Sequence, residues 1–113
     1  MFESESQRGL IGWTLLSLVN RGSYWSESGP SPAALSLWEQ KGGPMSHGEK
    51  VMFGIAWAIW TGNNEWPLTF DEVLYTLDPT GQEALGALLV ALATGKDAVE
   101  RWLTQWKPQP KRV

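Results

Sequence analysis

Cysteine is absent from this chain of 113 residues, histidine occurs once, and nine Lys and Arg stand against twelve Asp and Glu. Without a thiol there is no disulfide framework, zinc knuckle, iron–sulfur ligation or cysteine nucleophile. A single histidine, His47, excludes a multi-histidine metal site. The scarcity of basic residues leaves no cationic face of the kind that phosphate neutralisation requires, so no nucleic-acid partner is expected. Five acidic side chains and one basic one fall in residues 46–78, where a solvated helix face accounts for them. No apolar run approaches the roughly 18 residues that a membrane-spanning helix needs, and no membrane partner is expected. The opening MFESESQRGL places acidic residues where a secretory leader would carry Lys or Arg, which points to the cytoplasm.

The remaining composition is that of a folded protein. Apolar residues make up 42% and charged residues 19%, with twelve Gly, seven Pro and eight Trp. A length of 113 residues suits one domain, expected over 1–107 with a flexible tail, 108–113.

Apolar spacing is helical nearly throughout, and no convincing alternating strand occurs. A first helix is expected over about Ser6 to Asn20, where Leu10, Trp13, Leu16 and Val19 recur at three-residue steps. Asn20-Arg21-Gly22 reads as its exit, with Gly22 in the left-handed conformation. Residues 22–31 (GSYWSESGPS) form the clearest loop. Ser31-Pro32 restarts a short helix to about Lys41, stopped by Gly42-Gly43-Pro44.

Ser46 and Glu49 match the capping-box spacing, and from Val51 to Trp60 every residue but Gly54 is apolar. A helix greasy around its whole girth is surrounded by others. Thr69 and Glu72 form a second capping box. Asp78-Pro79 starts another largely apolar helix to about Thr94. A last amphipathic helix, from about Asp97 to Trp106, carries Val99, Trp102, Leu103 and Trp106 in one stripe. The expected class is therefore all-α: a compact single-domain bundle of five to six short helices. Two central apolar helices, 46–61 and 79–94, are its core, and 46–94 is its structural centre.

Chemistry-bearing constellations are few. His47 and Glu49 suggest acid–base work, but both lie in a first helical turn where Glu49 has a capping task. Asp71, Glu72 and Asp78 are helix-start carboxylates that complement the macrodipole and lack the spacing of a cation-binding loop. Residues 42–50 contain glycines and a lysine without the fixed spacing of a phosphate loop. A helix–turn–helix reading of 69–94 fails because its second helix offers Leu and Ala where base edges need polar side chains. No catalytic residue, metal ligand or cofactor is assigned, and the chain is expected not to be an enzyme.

The stretch MSHGEKVMFGIAWAIWTG followed by LTFDEVLYTLD resembles small helical proteins of bacteria and phage to which no activity is attached. The likeness covers about residues 45–92. It implies a structural core there and transfers no function; Met45 marks a place where a shorter relative would begin.

Tryptophan is the anomaly. Trp13, Trp38, Trp57, Trp60, Trp102 and Trp106 fall on apolar helix faces, whereas Tyr24-Trp25 and Trp66 lie in loops. Bulky, stiff aromatics are enriched at binding hot spots. The expected function is a small non-enzymatic protein–protein interaction module, an adaptor or inhibitor of phage or mobile-element type, using Tyr24, Trp25 and Trp66. The alternative is a small-molecule pocket lined by Trp57, Trp60 and Trp102. A second copy of the chain is a further candidate partner, through the stripe of helix 97–106.

Overall fold

The computed structural model describes residues 5–62 and 70–108, with the backbone alone for Phe70, Asp71 and Leu74. The protein is all-α. Helices α1 (Glu5–Ser17), α2 (Pro32–Glu39), α3 (His47–Thr61), α4 (Phe70–Thr76), α5 (Pro79–Thr94) and α6 (Lys96–Trp106) follow in order. Residues 63–69, with Trp66 and the Thr69 half of the second capping box, lie outside the described residues, as does 109–113 of the expected tail. The Cα radius of gyration is 13.2 Å, close to the roughly 13 Å of a folded domain of about 100 residues.

Capping residues set the helix starts. Ser31 Oγ accepts from the Ala34 N–H at 3.2 Å, and Pro32 stands at the first helical position. The Ser46–Glu49 capping box closes in both directions: Ser46 Oγ accepts from Glu49 N–H, and Glu49 Oε1 accepts from Ser46 N–H at 2.8 Å. Asp78 Oδ1 accepts from Gly81 N–H at 2.7 Å and begins α5. Gly62, at φ 74°, ends α3.

Two boundaries differ from expectation. The left-handed residue after α1 is Asn20, φ 63°, not Gly22; asparagine tolerates that region better than most side chains. α6 starts at Lys96 behind Gly95, whose lack of a side chain leaves the start uncapped, so Asp97 sits within the first turn instead of before it.

The centre of the molecule also differs. α3 is wrapped as its composition demands, with Val51, Met52, Phe53, Ala56, Trp57 and Ile59 buried. Its main partner is α1, which buries Ile11, Leu15 and Leu16 against it. α5 is not a second central helix. It buries one face, Gly81, Ala84, Leu85, Leu88 and Ala91, while Leu89 and Val90 remain exposed. α6 packs along α5 and seals that buried face with Val99, Trp102 and Leu103.

The loop between α1 and α2 carries the only β-strands among the described residues. After a 3₁₀ turn at Gly22–Tyr24, β1 (Trp25–Ser26) and β2 (Gly29–Pro30) form a two-residue antiparallel hairpin, Trp25 opposite Pro30 and Ser26 opposite Gly29. Ser26 Oγ accepts from Ser28 N–H at 3.1 Å and tightens the turn. This hairpin lies on α1 because α1 offers it a trough: a Cβ on Gly9 would fall within 3.0 Å of the Glu27 backbone, and one on Gly12 within 3.0 Å of the Trp25 indole.

Candidate partner-binding surface

Of the three loop aromatics, Trp25 does not join the expected surface. Trp25 is 3% exposed, which corrects its assignment as a partner-binding residue. The physical reason is the Gly9–Gly12 trough, which lets the hairpin close on α1 and drive the indole into the core. There Trp25 meets Phe53, Trp57 and Trp60 edge-on, with centroids at 6.4, 5.8 and 6.4 Å. Edge-to-face contacts of this kind add about 0.5–1.5 kcal/mol each beyond burial. Tyr24 is half-buried and packs against the same core. Trp66 lies outside the described residues.

The indoles assigned to a ligand pocket are likewise occupied. Trp57 stacks on Trp38 at 4.4 Å between centroids and 7° between planes, and Trp60 lies under the Arg8 guanidinium at 5.9 Å. Trp102 is buried elsewhere: its Nε1–H donates to the Ala84 carbonyl at 2.9 Å and ties α6 to α5. The rings thus pack on each other and on the backbone. The clefts lined by Ser46 and Asp78, by Glu5 and Glu27, and by Lys96 and Arg101 contain no tryptophan. One of them, about 290 Å³, separates the starts of α3 and α5, where the Ser46 and Asp78 oxygens are engaged by their own helices.

Glu49 has a further partner that the one-dimensional pattern did not show. Arg21, just beyond α1, donates through Nε to Oε2 at 3.0 Å and through a terminal nitrogen to Oε1 at 3.3 Å. That fork, then the Ser46 N–H, holds the Glu49 carboxyl below its ordinary range and raises the Arg21 guanidinium. Glu49 is therefore a structural anion joining the end of α1 to the start of α3. His47 points outward instead, with Nε2 3.6 Å from Glu72 Oε2 on α4. Among the described residues no three His, Asp or Glu converge as metal ligands.

The surface that does stand out is on α5. Leu89 is 62% and Val90 68% exposed, and no charged residue occurs between Ala84 and Thr94. Gly86, Ala87 and Ala93 are exposed beside them. A Cβ on Gly86 would meet nothing within 4 Å, so the roughly 1 kcal/mol that a helical glycine costs relative to alanine is not recovered by packing inside the chain. An apolar girdle reads the same in sequence whether neighbours surround it or half of it faces water. The uncharged run around Gly86 was the available signal. At the α5–α6 corner an open cleft of about 530 Å³ is lined by Lys96, Asp97 and Arg101.

No family profile, curated protein or solved structure matches this chain, so the functional reading rests on its own geometry. Among the described residues no helix is long and apolar enough to cross a membrane.

Proposed function

We propose that this chain is a non-enzymatic protein–protein interaction module, an adaptor or inhibitor acting in the cytoplasm, that meets its partner through the outer face of α5. The observation carrying the reading is the exposure of Leu89 and Val90 at the middle of a helix face without charge. Exposed apolar patches bounded by polar residues mark interaction sites in soluble proteins. Here Glu83 stands at one end, and Lys96, Asp97 and Arg101 at the other, all exposed. Trp25, first assigned to the binding surface, is committed to the core, and α5 offers an exposed apolar face in its place.

The test is affinity capture from the native host with wild-type protein and with Leu89→Glu and Val90→Glu. Both variants should fold, because each side chain already faces water, and both should lose the captured protein. Identical captured sets from wild type and both variants would remove α5 as the contact face.

A further inference from the structure

We infer that the outer face of α5 pairs antiparallel with the same face of a second copy of this chain, Val90 of each copy seating against the partner's Gly86. This rests on the reading of α5 as the contact face and names its occupant.

A two-fold interface requires one patch to supply both the projection and the recess it fills. The α5 face does so. Val90 projects into solvent four residues from Gly86, on the same line of the helix. At Gly86 the backbone is bare and open, with nothing of its own chain within reach of a Cβ. Two helices can approach most closely where one lacks a side chain, and the glycine left unexplained within one chain acquires that role between two.

Charge selects the direction. Glu83 lies near the start of α5, while Lys96 and Arg101 line the open cleft just past its end. None of the three forms an ion pair among the described residues. α5 has 16 residues, a length of about 24 Å. Pairing antiparallel about the midpoint of Gly86 and Val90 sets Glu83 level with the partner's Ala93. The partner's Ala93 is the next-to-last residue of its α5, and Lys96 opens α6 just past it, so the acidic start of one helix lies at the basic corner of the other. A parallel pair would set Glu83 beside Glu83 and Lys96 beside Lys96. Opposite charges at both ends with an uncharged middle therefore favour the antiparallel pair, the corner keeping a net positive charge because Lys96 and Arg101 outnumber Asp97 there.

Sedimentation equilibrium on the pure protein tests this directly. The wild type should rise with concentration from 12.6 kDa toward twice that mass. Val90→Glu, Gly86→Leu and Glu83→Lys should each weaken association by about tenfold or more, as loss of a central interface contact does, with unchanged circular dichroism. Combining Glu83→Lys with Lys96→Glu should restore part of the loss. Because the chain has no cysteine, a mixture of Gly86→Cys and Val90→Cys chains should form a disulfide-linked heterodimer on oxidation. A monomeric wild type at every concentration, association indifferent to Val90→Glu and Gly86→Leu, or cross-linking of Gly86→Cys chains to one another in preference to the mixture would overturn the pairing. A monomeric wild type whose Val90→Glu variant still loses a captured host protein would reject the dimer and keep the interaction module. Loss of neither would reject both.

Discussion

Replacing Gly9 by alanine tests the packing on which the whole N-terminal half depends. The added Cβ would lie within 3.0 Å of the carbonyl oxygen, carbonyl carbon and Cα of Glu27. All three are backbone atoms, so no rotamer change relieves the overlap. The hairpin must move off α1 as a body, and Trp25 moves with it. A gap of about 0.5–1 Å already forfeits a quarter to a half of each van der Waals well, and Trp25 is packed against Phe53, Trp57 and Trp60. Overpacking of this kind costs about 1–3 kcal/mol, against a gain of about 1 kcal/mol from exchanging Gly for Ala in a helix. The expected net loss is up to about 2 kcal/mol, or up to about 8 °C in Tm for a domain of this size. Thermal unfolding followed by circular dichroism reads the loss, and a red shift of tryptophan emission reports the lifted indole. Gly86→Ala is the matched control. It makes the same chemical change in open space and should stabilise the dilute monomer by about 0.5–1 kcal/mol. If Gly9→Ala proved as stable as Gly86→Ala, the account of the trough would be wrong.

Two other substitutions follow from the same geometry. Trp25→Ala should cost about 3–5 kcal/mol, as removal of a buried tryptophan does, so urea unfolding should show the loss in the purified protein with no partner present; a fully stable variant would return Trp25 to the surface. The Glu49 carboxyl has a lower pKa folded than unfolded, so its contribution is complete above the unfolded value and is lost as pH falls through the folded one. Stability should therefore decline as the solution is acidified through and below the ordinary carboxylate range, and Glu49→Gln should show a smaller decline between neutral and acid urea titrations, whereas equal declines would contradict the assignment.

Much of this architecture is legible one residue at a time. Helix starts are local events: Ser31, Ser46 and Asp78 each satisfy a backbone N–H within three residues, so the chain announces them without reference to any distant contact. The same holds for the all-helical class, because the apolar period follows from the geometry of one helix. The burial of α3 was also readable, since an apolar residue at almost every position leaves no face that water would favour.

Matters that depend on two segments meeting were not readable. The pattern of 79–94 resembles that of 46–61, yet α5 is covered on one side and open at Leu89 and Val90. Hydrophobicity records what a face would prefer, and only the packing of α1 on α3 and α6 on α5 decides which faces are covered. Trp25 shows the reverse error. Its Gly- and Ser-rich surroundings read as an exposed loop, but Gly9 and Gly12, sixteen and thirteen positions earlier, make the space that buries it. Glycines that act by what they leave empty have no signature until the opposing segment is in place. Arg21 and Glu49 make the same point with charge, each ordinary in its own stretch of chain and joined only by the fold. Sequence alone thus determined the local turns of backbone, where each group finds its partner a few residues away. Tertiary structure decided which apolar surface stays in water, because that is a property of two elements and of the room between them.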